Sequence, residues 1–239
     1  MKVGIIGCGA IANIITGSIT SENNGIEIAY FFDKDIERAE NLASLAGGVA
    51  ALDFDEMLNN VDLVLECASP DSVKEYAPIV LKKGIDMIIM SIGAFMDTEF
   101  YNTVLNVAKQ NNAKIHLPSG AVVGLDGIKA VAKFGLKEIK LVTRKSPRSL
   151  GKDIDTEEIL FEGKASEAVK QFPLNINVAA TISMACNKDI DVKSLNLSSD
   201  TKIVQDFKDN YLLIFTSEWN IRWALEKNEG LELSEFNRN

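Results

Sequence analysis

The chain has 239 residues, 46% hydrophobic and 25% charged, the balance of a globular protein long enough for one large domain or two modest ones. A formal charge of -9 disfavours nucleic acid and anionic membrane surfaces, which select basic patches. Its apolar runs stop well short of the roughly 18 residues that a membrane-spanning helix needs.

The first element offers two accounts of itself. Lys2–Gly7 is a short apolar run that reads as a buried strand, yet with Ile5-Ile6-Gly7-Cys8 it also resembles a lipid-attachment box. A secretion signal needs about 7–15 apolar residues, and only Val3 to Ile6 stand between Lys2 and the glycine-rich turn. Cys8, Cys67 and Cys186 are odd in number and far apart, without zinc-type spacing, and suit free thiols in a reducing compartment. The expectation is a cytoplasmic chain with neither metal nor membrane partner.

Ala10–Thr20 reads as a helix, Ile26–Phe32 as a strand ending at Asp33, and Asp35–Leu45 as an exposed helix. A short helix at Asp53–Leu58, a strand at Val61–Cys67, a helix at Asp71–Lys83 and a strand at Asp86–Met90 follow. A helix at Thr98–Asn111 and a strand at Lys114–Leu117 complete the series. Strands alternating with helices indicate right-handed crossovers, hence an α/β, Rossmann-type, doubly wound parallel sheet over residues 1–118. Beyond residue 118 the alternation breaks down. A helix after the loop "PSGAVVGLDG", strands near Glu138–Thr143 and Glu158–Glu162, helices at Lys164–Phe172 and Val178–Cys186, and strands at Ile190–Leu197, Tyr211–Thr216 and Asn220–Leu225 suit a second α+β domain with an open sheet over 119–225. Residues 226–239 form a polar tail.

The turn Gly7-Cys8-Gly9-Ala10-Ile11-Ala12 lies between a strand and a helix, the setting that a dinucleotide fingerprint requires. Gly7 permits the tight turn, Gly9 lets backbone amides approach a pyrophosphate, and Ala12 allows close helix–sheet packing. Asp33, at the end of the next strand, is placed to accept hydrogen bonds from ribose hydroxyls and to repel a 2′-phosphate, which favours NAD over NADP without excluding either. The alternative is a tight turn of another α/β protein, with Asp33 a solvated cap. Cys67, Ala68 and Ser69, in "LECASP", follow a strand and are expected to line the crevice at the carboxyl ends, as is "SIGAF" (Ser91–Phe95), though both also fit ordinary loops. Cys8 reads as a small space-filler, lacking a flanking cation or histidine. The chain's single histidine, His116, reads as structural.

Together "GCGAIA", "VLECASPDSVKEYA", "IIMSIGAF", "HLPSGAVVGLDGIKAV", "KSPRSLG" and "LFEGKASEAVKQFPLNINVAATISMA" resemble, in order and up to about residue 190, the archaeal and bacterial L-aspartate dehydrogenase family. The resemblance implies a Rossmann enzyme whose second domain is also a dimerisation surface. It implies interconversion of L-aspartate with iminoaspartate or oxaloacetate using NAD or NADP, linked to NAD (pyridine nucleotide) biosynthesis. It also implies that Gly7, Gly9, Ala10 and Ile11 hold the pyrophosphate, that Ala121 lies against the nicotinamide end, and that Asn177 contacts the cofactor. The basic loop from Lys145 is a candidate for substrate carboxylate contacts, or else a solvated surface loop.

After residue 190 the chain departs from the family pattern. The family's catalytic histidine lies in an N-x-H segment; aligned through Asn210, this chain has Leu212 there, and the "NP-x-TS" loop is absent. A leucine neither takes nor gives a proton, so the resemblance supports cofactor binding better than turnover. A catalytically impaired paralogue acting as a dinucleotide-binding regulator is the alternative.

Overall fold

The computed structural model describes residues 1–21, 25–120, 122, 124–134, 139–145, 158–172, 177–196, 212–216 and 223–225. The chain divides into two compact units, Met1–Pro118 and Ser119–Asn239.

The first unit runs β1 (Lys2–Ile6), α1 (Ala10–Thr20), β2 (Glu27–Phe32), α2 (Ile36–Ala46), β3 (Val49–Ala50), α3 (Phe54–Leu58), β4 (Leu63–Glu66), α4 (Pro70–Lys82), β5 (Asp86–Ile89), a 3-10 turn (Ile92–Met96), α5 (Thr98–Gln110) and β6 (Ile115–His116). Its six strands lie in the order β3-β2-β1-β4-β5-β6, all neighbours parallel. This is the doubly wound order whose reversal, beside β1, opens a crevice at the carboxyl ends of the strands. Val3, Ile5 and Ile6 of β1 are buried, as a central strand covered on both faces requires. Ala12 of α1 is fully buried in the same cluster as Phe31, Leu42 and Leu65, so the small side chain brings helix and sheet together.

Helix starts follow from side-chain chemistry. Asp53, Ser69 and Asp97 cap α3, α4 and α5 by accepting from the amides of Asp55, Ser72 and Phe100, and Pro70 opens α4 where its missing N–H costs nothing. Gly47 ends α2 in the left-handed region. Two elements were not anticipated. The two-residue β3 is too short to show periodicity, and the 3-10 turn Ile92–Met96 forms in the segment read as loop.

The second unit holds α6 (Leu125–Lys133), β7 (Ile139–Lys145), β8 (Glu158–Lys164), α7 (Ala165–Gln171), α8 (Asn177–Cys186), β9 (Asp191–Asn196), β10 (Leu212–Thr216) and β11 (Trp223–Leu225). Its mixed sheet has the order β11-β10-β7-β9-β8, with β7 parallel to both β10 and β9 and the outer pairs antiparallel. Ile139, Leu141, Phe161 and Val192 of the sheet are buried, as are Ile128 of α6, Ala168 of α7 and Ile182 of α8. Among the described residues no helix is long and apolar enough to cross a membrane. The polar tail 226–239 lies outside the described residues.

Candidate functional site

A cleft of about 260 Å³ opens at the carboxyl ends of β1, β2 and β4, lined by residues that include Gly7, Asp33, Ala68, Ser69, Ser72 and Tyr76. The glycine-rich turn bounds it. Gly7 has φ +89°, and a Cβ built on it would stand 2.5 Å from the Cβ of Ala68 and 2.7 Å from its backbone nitrogen. Only glycine allows the turn from β1 and the close approach of the loop after β4 together. The Gly7 amide donates to the Phe32 carbonyl at 2.8 Å, tying the turn to the end of β2.

Gly9 answers to a different requirement. Its φ of -85° is open to any residue, and a Cβ there would meet no atom within 4 Å. It is the N-cap of α1, which has no side-chain cap and no acidic residue in its first turn. The start of an eleven-residue helix that carries no side-chain cap, with open space over its N-cap glycine, can seat an anionic group. Ala10 and Ile11 lie exposed in that first turn. These features fit a dinucleotide pyrophosphate.

Asp33 also lines the cleft. Its Oδ2 accepts from the Cys8 amide at 2.7 Å and its Oδ1 from the Asp35 amide at 2.9 Å, so the carboxylate is clamped between the glycine turn and the start of α2. Each oxygen keeps a lone pair for a ribose hydroxyl. Beside it Lys34, also on the cleft wall, pairs with Glu75 at 3.1 Å. Tyr76, also in the lining, clusters with Phe32 and Phe54 at ring separations of 5.4 and 4.7 Å. Burial, with the neighbouring Glu75, pushes its phenol up to about 12.

Other expected residues fall elsewhere. Ala68 and Ser69 line the cleft, whereas Cys67 lies beneath it, buried in the hydrophobic cluster that also holds Cys8. Burial, reinforced by Asp33 at Cys8 and by Glu66 at Cys67, pushes both thiols up to about 12, which makes them space-fillers. Ser91–Phe95 is wholly buried, so "SIGAF" supports the crevice from below. Glu66, unremarked in the sequence, holds that layer together: buried at the end of β4, it accepts hydrogen bonds from Ala68, Ser69 and Ser91. A lone acid closing an apolar strand was the available signal. His116 lies on the edge strand β6, its Nε2 3.6 Å from the Asp86 carboxylate, away from the cleft lining.

In the second unit, Asn177 opens α8, and its carbonyl accepts from the Thr181 hydroxyl at 2.8 Å. Leu212 opens β10, in register with Ile139 of β7. Ala121, Asn210 and the basic loop beyond Lys145 lie outside the described residues.

Residues 7–118 match the family described as homoserine dehydrogenase, NAD binding domain, and residues 126–209 match aspartate dehydrogenase, C-terminal. The L-aspartate dehydrogenase of Methanothermobacter thermautotrophicus is 52% identical over 193 residues, covering 81% of this chain and 75% of that protein. That of Methanospirillum hungatei is 36% identical over 223 residues, covering 93% and 86%. Among solved structures, aspartate dehydrogenase from Thermotoga maritima superposes with a TM-score of 0.66 at 36% identity, covering 82% of this chain and 78% of that one. With its parallel sheet, its glycine turn and a second unit that matches as well, the chain belongs to the L-aspartate dehydrogenase family.

Proposed function

We propose that the chain is an NAD(P)-dependent oxidoreductase that interconverts L-aspartate with iminoaspartate, or with oxaloacetate plus ammonia, in a route to NAD. The observation that carries this is the uncapped start of α1 with the open space over Gly9, in a chain 52% identical to an L-aspartate dehydrogenase. The amides at the start of α1 bind the pyrophosphate, Gly7 and Ala68 form the floor beneath it, and Asp33 accepts from the adenosine ribose. When bound, the nicotinamide supplies the hydride acceptor or donor. Ala121 and Asn177 are the candidate contacts at its reactive end, and the loop from Lys145 the candidate cation for a substrate carboxylate. Buried free thiols accord with a cytoplasmic setting, and the open sheet of the second unit is the candidate surface for a homodimer.

Leu212 favours a second reading, a dinucleotide-binding paralogue with little turnover. The test is NADH oxidation on adding oxaloacetate and ammonium. The expected result is turnover slowed by about 10²–10⁴-fold relative to relatives that carry the histidine, and partly restored in Leu212→His. NADH binding with no oxidation in either protein would replace the dehydrogenase by the non-catalytic paralogue.

A further inference from the structure

Glu66 ends β4 with none of its surface exposed, an acid placed where an unpaired carboxylate would be prohibitively costly. Its Oε1 accepts from the Ala68 amide at 2.8 Å, the Ser69 amide at 2.9 Å and the Ser91 hydroxyl at 2.9 Å; its Oε2 accepts from the Ser91 amide at 3.0 Å. Three of these four donors are backbone amides, which only donate, so the ring is built for an acceptor. Burial pushes the carboxyl up, and the bonds from Ser91, Ala68 and Ser69 offset that only in part.

The bonds join two loops at the carboxyl end of the sheet. Ala68 and Ser69 follow β4 and line the cleft, and Ala68 is the residue against which Gly7 has no room for a Cβ. Ser91 follows β5 and precedes the buried 3-10 turn. Ser69 is in addition the N-cap of α4. A shift of the Ala68 amide therefore moves the floor of the cleft directly under the glycine turn.

We propose that Glu66 is a positioning residue for the dinucleotide: its carboxylate locks the Cys67–Ser69 loop against Gly7 and ties it to the Ser91 turn, so that the floor is set before the cofactor arrives. The inference rests on reading the cleft as a dinucleotide site. It differs from a purely structural role because the bonded amides belong to the wall that the ligand meets, and preorganised walls appear in affinity.

The test is NADH titration by fluorescence on the full chain, reading both the dissociation constant and the number of sites per chain. Glu66→Gln preserves volume but must turn its NH₂ toward a backbone N–H on whichever side it lies. The expected result is a dissociation constant raised about tenfold with the number of sites unchanged. Ser91→Ala removes only the hydroxyl bond and is expected to raise it about threefold, which decides the matter if Glu66→Gln does not fold. Unchanged affinity in the folded variants would overturn the proposal. So would fewer sites at unchanged affinity, because that is the mark of a partly unfolded population. Failure of the unaltered chain to bind NADH would instead remove the dinucleotide reading itself, and this inference with it.

Discussion

At Gly7 the left-handed backbone and the 2.5 Å approach of Ala68 act on the fold, so Gly7→Ala should lower stability by about 2–4 kcal/mol as well as weaken cofactor binding. At Gly9 neither constraint applies. Gly9→Ala should change stability by less than about 1 kcal/mol yet weaken NADH binding at least about tenfold, because the new methyl enters space that only the ligand fills. Thermal unfolding and NADH titration of both variants separate the two roles; equal losses of stability would refute the distinction. Both glycines lie in the turn between β1 and α1, but their different reasons appear only when the space around each Cβ position is known. The thiols give a second check at this scale. Cys8 and Cys67 are held near 12 and Cys186 near 11 by burial, so an aromatic disulfide reagent at mildly alkaline pH should leave them unmodified until denaturant is added. Rapid labelling of the native chain would contradict this. Glu66 went unread because nothing in the string "LVLECASP" shows that two loops far apart in sequence supply its donors.

The elements of the first unit were legible because their signals are local. Apolar runs mark the buried strands, and Asp53, Ser69 and Asp97 mark helix starts within a residue or two. The failures are equally physical, since β3 is only two residues of Val49–Ala50 held by pairing to β2, a tertiary effect without periodicity. In the second unit, Lys140 of β7 and Lys193 of β9 flank Glu162 of β8, each at 3.3 Å. Hydrogen bonds from Lys140 and Lys193 hold the Glu162 carboxyl below its usual range. A depressed folded-state value contributes stability above the unfolded value and loses it as pH falls through the folded one. Glu162→Gln should therefore be slightly less stable than the native chain at neutral pH and equal to it in acid. Glu162 is half-exposed and both lysines partly so, and salt should therefore shrink the difference. Urea unfolding across pH and salt measures it; a gap that persists in acid would assign Glu162 to packing instead.

At the scale of the molecule, two units carry the family likeness: the first matches an NAD-binding domain and the second holds a mixed sheet with α6, α7 and α8. The doubly wound parallel sheet was readable from alternating elements and right-handed crossovers, but its strand order, with the reversal beside β1, appears only in the structure. The second sheet was readable only as a set of strands, because its pairing of β7 with both β9 and β10 joins segments distant in sequence. Leu212, where the resemblance leads one to expect the family's histidine, is the first residue of β10. Everything downstream depends on the cleft beside β1. The most direct measurement is fluorescence titration of the intact chain with NADH, repeated with Gly9→Ala and with ADP-ribose as competitor. The expected result is saturable binding at one site per chain, displaced by ADP-ribose and weakened at least about tenfold by the added methyl. A folded chain that shows no saturable binding, or one that Gly9→Ala leaves unaffected, would contradict it.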